Sequence, residues 1–171
     1  MKIGFYGKAF GADYNELMRD VLRLLKESSV DIMIYEPYWN DIRHCIDDDY
    51  KFELFNGSDE INNNIDVLFS FGGDGTILDS VPLIRDSGIP VLGINTGTLG
   101  FLASVLPQYT SDAVKNIING NYTIEQRSLI KIKDDDNIFN GINYALNEIS
   151  ICRKDNGSLI VVEVYIDDML L

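Results

Sequence analysis

The sequence predicts an α/β protein, in which a parallel sheet with helices on both faces is followed by the beginning of an all-β domain. Short apolar runs alternate with amphipathic segments as far as Pro107. Two of the apolar runs lead directly into glycine-rich segments. Beyond Pro107 the alternation stops, and β-rich runs separated by turn residues take its place. These three observations together indicate the two parts and their order.

Predicted strands and helices alternate in the N-terminal part. The predicted strands are residues 2–6, 30–36, 67–71 and 90–94, and the predicted helices are residues 13–28 and 76–86, with a short helix around residues 40–46. The rest of residues 38–64 is polar and is expected to be irregular. Because strand–helix–strand connections are right-handed, the strands should be parallel and covered on both faces. We therefore predict a Rossmann-like or flavodoxin-like nucleotide-binding domain over residues 1–107.

The C-terminal part begins with one more helix and continues as antiparallel strands. The helix is predicted over residues 110–119, within a connecting segment of residues 108–121. Strands are predicted at residues 128–133, 144–153 and 159–166, with a turn at residues 134–137 and a hairpin turn at Asn156-Gly157. The last residues, Met169-Leu170-Leu171, are apolar and uncapped. Residues 122–171 are thus expected to be part of a β domain whose remaining strands are missing.

The composition excludes several partners. A formal net charge of −13 opposes binding to nucleic acid, because that binding depends on cationic neutralisation of phosphates. The sequence has no apolar segment approaching the roughly 18 residues of a membrane helix and no secretory signal, so we expect a cytoplasmic protein that does not bind membranes. Any nucleotide must be held by backbone amides, a few cations or Mg²⁺, since the overall field repels it.

The most informative segments are two glycine loops. The first glycine loop (residues 72–76) is Gly-Gly-Asp-Gly-Thr after an apolar run, and the second glycine loop (residues 93–102) is Gly-Ile-Asn-Thr-Gly-Thr-Leu-Gly-Phe-Leu. Glycines let backbone amides approach a phosphate or ribose closely. Asp74 would repel phosphate, so its presence indicates a metal ion or a hydroxyl that must lose its proton. We interpret the pair of loops, at the carboxyl ends of neighbouring strands, as a site for phosphoryl transfer to an alcohol.

The chain resembles the N-terminal part of the NAD kinases. The resemblance depends on the two glycine loops, on Arg127-Ser128-Leu129 and on Ala145-Leu146-Asn147-Glu148. It implies transfer of the γ-phosphoryl group of ATP, or of polyphosphate, to the 2′-hydroxyl of the adenosine ribose of NAD, with Mg²⁺ accompanying ATP. It also implies a homodimer or homotetramer for a protein of full length.

The resemblance also assigns roles to residues. Asp74 matches the catalytic base and Gly75 shares the contact with ribose and phosphate. Asn147 and Glu148 match residues that hold the adenosine, Phe101 packs near adenine, and Ser158 falls near the substrate. The other candidates for nucleotide binding belong to the glycine loops: Gly72, Gly73, Thr76, Asn95 and Gly97. Neighbours on a regular strand point to opposite faces, so Asn147 and Glu148 can share a ligand only if their strand bulges or ends there.

Two alternatives remain at this point. One is a lipid kinase with a Gly-Gly-Asp-Gly-Thr turn, although the sequence shows no basic, apolar docking surface for a membrane. The other is a nucleotide-binding module without activity. Family segments of the Thr-Ala-Tyr and Gly-Gly-Pro type are not in this sequence. We therefore expect this chain alone to be inactive and to associate through uncovered strands.

Overall fold

A computed structural model describes residues 1–8, 11–97, 100–133, 135–136, 138–139, 143–152 and 160–171. Its centre is a five-stranded sheet in the order β3-β2-β1-β4-β5, with every neighbouring pair parallel. The strands are β1 (Lys2–Gly7), β2 (Asp31–Tyr35), β3 (Glu53–Phe55), β4 (Val67–Gly72) and β5 (Val91–Asn95). The predicted parallel α/β class is confirmed.

Helices cover both faces of this sheet. They are α1 (Asn15–Glu27), α2 (Glu36–Ile42), α3 (Ser58–Ile61), α4 (Asp74–Ile84) and α5 (Thr110–Ile118), with 3₁₀ turns at Ala12–Tyr14, Arg43–Cys45 and Pro107–Tyr109. Successive residues of β4 face opposite sides. Phe69 belongs to the larger core cluster, with residues of α1, α2 and α5, whereas Leu68 belongs to the smaller cluster, with Ile61 of α3. The sheet is therefore buried on both faces, as all-parallel sheets are.

Residues 38–64 contain more regular secondary structure than the sequence predicts. The short helix predicted around residues 40–46 is present as the end of α2 and the 3₁₀ turn after it, but α2 begins earlier, at Glu36, and carries Pro37 in its first turn, where proline is tolerated. The segment also contains β3 and α3, which the sequence analysis did not predict. Both are only three or four residues long. Such short elements leave no periodic pattern, and β3 exists because its backbone pairs with β2.

The strands of the C-terminal part are much shorter than predicted. Strand 128–133 is reduced to β6 (Ile130–Lys131) and strand 144–153 to β7 (Tyr144–Ala145), which pair antiparallel. Within the described residues of 159–166, only β8 (Tyr165–Ile166) is a strand. The predicted turn at Asn156-Gly157 lies outside the described residues. A strand needs a partner for its backbone groups, and the described residues of this part offer few.

The final residues form a hairpin, which the apolar, uncapped sequence of residues 169–171 did not predict. β8 pairs antiparallel with β9 (Met169–Leu170). The turn between them is Asp167-Asp168, with φ values of 49° and 65°. Positive φ at both central residues is typical of the tight turns that connect hairpins, and aspartate tolerates it.

Candidate functional site

The two glycine loops meet at the carboxyl edge of the parallel sheet. Gly72, the last residue of β4, is in register with Asn95, the last residue of β5. The amide of Thr96 donates to the carbonyl of Gly72 at 3.3 Å. This is the edge at which parallel α/β sheets bind their ligands.

The turn from β4 into α4 requires glycine at position 72. Gly72 has a φ of +155°, and a Cβ there would overlap the side chain of Thr76. Thr76 is itself buried, one turn into α4, and its amide donates to the carbonyl of Gly73 at 3.0 Å. The close contact between Gly72 and Thr76 lets α4 begin directly at Asp74.

Asp74 is held by three consecutive backbone amides. Its Oδ2 accepts from the amide of Phe101 at 2.7 Å, and its Oδ1 accepts from the amides of Leu102 and Ala103, each at 2.8 Å. The hydrogen bond from Ala103, together with those from Phe101 and Leu102, lowers the pKa of the Asp74 carboxyl, while desolvation opposes this change. The first turn of a helix also favours a negative charge. Asp74 is thus an ionised acceptor that joins the two loops.

Asn95 shapes the second glycine loop from inside. Its side chain is buried. Its Oδ1 accepts from the amide of Gly97 at 2.8 Å, and its Nδ2 donates to the carbonyl of Ala103 at 3.3 Å. Since both ends of the side-chain amide bond the loop itself, we interpret Asn95 as a residue that sets the loop's shape.

The outer side of the two loops is open. A Cβ added at Gly73, Gly75 or Gly97 would meet no atom within 4 Å. Phe101 is 96% exposed, although its amide is bound by Asp74. An exposed ring and uncovered glycine backbone leave a surface that a flat base and a sugar can approach. The role of these four residues as ligand contacts stays a prediction.

The structure places Asn147 and Glu148 at the end of a strand. Both are exposed and follow β7, which ends at Ala145. The alternation of a regular strand therefore does not force them to opposite faces, because Asn147 lies in a bend and Glu148 follows it in irregular backbone. β7 contacts α4, but among the described residues no hydrogen bond joins Asn147 or Glu148 to the glycine loops. Ser158 lies outside the described residues.

Lys8 is a candidate that the sequence analysis left out. It follows β1 directly, and Gly7 of β1 is in register with Phe71, so Lys8 lies at the same edge of the sheet as the glycine loops. Its Nζ lies 2.6 Å from Oδ2 of Asp79 on α4, and both side chains are about half exposed. A lysine directly after a glycine-ended strand, in a strongly acidic chain, was the signal that could have identified it.

Other features do not suggest a second site. A shallow cleft of about 280 Å³ between α1 and α5 is lined by Asp13, Glu16 and Asp20 and would repel a nucleotide. In the described part of the chain, no three His, Cys, Asp or Glu side chains form a group able to hold a metal ion. No helix among the described residues has the length and apolarity to span a membrane.

Comparison with known proteins identifies the family. A model of the ATP-NAD kinase N-terminal domain matches residues 3–122. NAD kinases of Flavobacterium johnsoniae and Christiangramia forsetii are each 34% identical over 175 aligned residues, which include the whole of this chain and 59% of the relative. The NAD kinase of Bacteroides fragilis is 33% identical over 168 residues, covering 98% of this chain and 57% of the relative. The chain thus spans less than two thirds of the length of these relatives.

A solved structure shares the fold. The crystal structure of yeast NADH kinase complexed with NADH matches with a TM-score of 0.62 and 23% identity, over 77% of this chain and 43% of that one. The family model covers both glycine loops and the whole parallel sheet that positions them. The resemblance inferred from the sequence is confirmed, and this chain belongs to the ATP-NAD kinase family.

Proposed function

We propose that this chain supplies the part of an NAD kinase that transfers the γ-phosphoryl group of ATP, or of polyphosphate, to the 2′-hydroxyl of the adenosine ribose of NAD. The observation that carries the proposal is the placement of an ionised Asp74 between two glycine loops whose outer side is open. Membership of the ATP-NAD kinase family supports the choice of substrates. The division into residues 1–107, 108–121 and 122–171 belongs to the same proposal.

Asp74 has capacity for a substrate hydroxyl. An ionised carboxylate offers about four lone-pair positions. Three are used by the amides of Phe101, Leu102 and Ala103. The remaining position accepts the hydrogen of the ribose 2′-hydroxyl, which orients its oxygen towards the γ-phosphorus.

The transfer is then a single displacement at the γ-phosphorus. A bond forms between the 2′-oxygen and the γ-phosphorus, while the bond from that phosphorus to the β–γ bridging oxygen breaks. ADP leaves with the electron pair, and the hydroxyl proton passes to Asp74 and from there to solvent. Because the lowered pKa makes Asp74 a weak base, the proton moves late, and positioning carries more of the rate. Positioning supplies up to roughly 7–11 kcal/mol, against about 10²–10⁴-fold for a general base.

The phosphates need positive charge that the chain as a whole lacks. Lys8 lies at the edge of the sheet that carries both loops, and the first amides of α4 follow the open Gly73. Mg²⁺ accompanies the phosphates of ATP in this proposal, since the described residues form no metal-binding group of their own. Asn147, Glu148 and Ser158 complete the adenosine side of the proposed site, and Phe101 stacks near adenine.

One alternative function has support in an observation. Because the chain spans 59% of its relatives, it could bind nucleotides without catalysis. A lipid kinase has no such support, since the family match is to the ATP-NAD kinases.

The test is NADP formation by a protein in which residues 1–171 are joined to the C-terminal region of a full-length relative. We expect activity with NAD and Mg²⁺–ATP, and a loss of about 10²–10⁴-fold in the Asp74→Asn variant. Asp112→Asn is the matched control, because Asp112 is also an acid in the first turn of a helix and is exposed elsewhere on the molecule. Unchanged turnover in the Asp74→Asn variant would show that Asp74 is not catalytic. If the fusion protein binds NAD but forms no NADP, the function is that of a nucleotide-binding module without activity.

A further inference from the structure

We propose that Gly100 is a positioning residue of this site: because it lacks a Cβ, the Asp74 carboxylate can reach the backbone of residues 101–103 and hold Phe101 at the mouth of the site. The proposal rests on the proposed function, since it assigns Phe101 to the nucleotide. It gives a specific task to a glycine that the sequence analysis treated only as part of a loop.

The geometry leaves no room for a side chain at position 100. A Cβ built on Gly100 would overlap Cγ and Oδ1 of Asp74, and it would lie 2.5 Å from Oδ2. The three nearest atoms all belong to this one carboxylate. The tightest constraint on Gly100 therefore comes from Asp74.

The segment 101–103 is fixed on its other side by β5. A Cβ at Gly93 would lie 2.8 Å from Cα of Ala103 and 3.2 Å from the carbonyl oxygen of Leu102. Two residues after Ala103, the amide of Val105 donates to the carbonyl of Gly93 at 3.1 Å. The segment thus lies between β5 and the start of α4, and the Asp74 carboxylate makes the contact on the α4 side.

Displacing the carboxylate has a defined consequence. The amides of Phe101, Leu102 and Ala103 lose their acceptor together, because a single group serves all three. A backbone donor deprived of its partner carries a free-energy penalty unless it turns to water. We therefore expect residues 101–103 to move away from Asp74 in a Gly100→Ala variant, which would carry the exposed Phe101 ring with them.

A double-mutant cycle on the 171-residue chain tests this inference. The variants are Gly100→Ala, Asp74→Ala and the two combined, and the readouts are the amide proton shifts and hydrogen-exchange rates of residues 101–103, followed by NMR. We expect each single variant to speed exchange of Leu102 and Ala103 by at least about tenfold, as loss of a hydrogen bond to a charged group does. The double variant should add nothing, because the overlap needs the carboxylate.

Gly57→Ala is the matched control. Gly57 lies outside the helices and strands, as Gly100 does, its φ is −145°, and a Cβ there would meet nothing within 4 Å. We expect no change in residues 101–103 in this variant. Should Gly100→Ala fail to fold, the double variant must still fold, because it lacks the group with which the new methyl overlaps.

Three results overturn the inference: unchanged exchange in Gly100→Ala, effects of the two substitutions that add, or failure of the double variant to fold. The proposed function is decided separately, by NADP formation in the full-length fusion. If the two substitutions speed hydrogen exchange non-additively while the fusion protein forms no NADP, the role of Gly100 in holding the loop is supported. The kinase proposal is then contradicted.

Discussion

Asp74 joins the two glycine loops, and the proposed function gives it a chemical task as well. Three backbone amides stabilise its ionised form, and the start of α4 adds a favourable dipole. A carboxylate stabilised in this way is a good hydrogen-bond acceptor and a weak base. At the scale of the residue, the proposed function therefore relies on orientation of a hydroxyl more than on early removal of its proton.

Acid should release the second glycine loop. The pKa of Asp74 in the folded chain is lower than its usual value of about 3.9, so its contribution to stability is complete above that value. It is lost as the pH falls through the lowered, folded pKa. Amide proton shifts of Phe101, Leu102 and Ala103 should follow one titration, which Asp74→Asn abolishes. Shifts that stay constant throughout the acid range would contradict this assignment.

Removing the Lys8 ammonium should weaken nucleotide binding. We expect Lys8→Ala to cost about 0.2–1 kcal/mol of ATP binding, as exposed charge pairs do, and to make binding less sensitive to salt. Calorimetric titration at two salt concentrations measures both effects. The control is Lys26→Ala, because Lys26 is also an exposed lysine in an ion pair, with Asp49 at 2.8 Å. Equal effects of the two substitutions would remove Lys8 from the site.

At the scale of the element, the junction of β4 and α4 determines the position of Asp74. β4 lies between β1 and β5 in the sheet and is buried along its whole length, so its carboxyl end is fixed. α4 starts two residues after Gly72, which brings Asp74 over the edge of the sheet. A longer connection would let the acid move relative to the second glycine loop.

Gly72→Ala should destabilise the fold. The new methyl group would overlap Thr76 at a φ of +155°, which L-residues rarely adopt. We expect a loss of about 1–3 kcal/mol in the free energy of unfolding, the range for strained backbone. Urea denaturation measures it as a lower midpoint with an unchanged slope. Gly57→Ala, at an extended and open position, should lose less than half as much, and equal losses would show that the junction is not strained.

At the scale of the whole molecule, the two parts are buried to different degrees. The parallel sheet has core clusters on both faces. In residues 160–171, by contrast, every described apolar side chain is at least 50% exposed, and Val161 reaches 87%. A concentration of exposed apolar residues of this kind is typical of an interaction surface.

The 171-residue chain should therefore self-associate through residues 160–171. Sedimentation velocity should show an average mass that increases with protein concentration. The double variant Val161→Lys/Leu171→Lys should weaken this increase, because both residues are at least 80% exposed. Asn116→Lys/Gln126→Lys adds the same charge at exposed polar positions and is the control. A stable monomer would contradict this prediction.

Much of the fold could be predicted from the sequence because its elements are long and periodic. The helix containing Met18, Val21, Leu22 and Leu25 and the apolar strand before Gly72 have patterns that only one structure satisfies. The short elements β3 and α3 could not be predicted, since they owe their structure to neighbours and not to their own residues. In the C-terminal part, β-rich composition alone overestimated the length of the strands.

The sequence by itself determined the parallel α/β class, the two glycine loops and the choice of Asp74, because each depends on residues close together in the chain. Only the tertiary structure decided what Asp74 contacts, since its three amide donors lie 27, 28 and 29 residues further along. It also separated glycines that make room for neighbouring groups, such as Gly72 and Gly100, from those with open space, such as Gly73 and Gly75. That distinction depends on atoms brought together by folding, which no local pattern records.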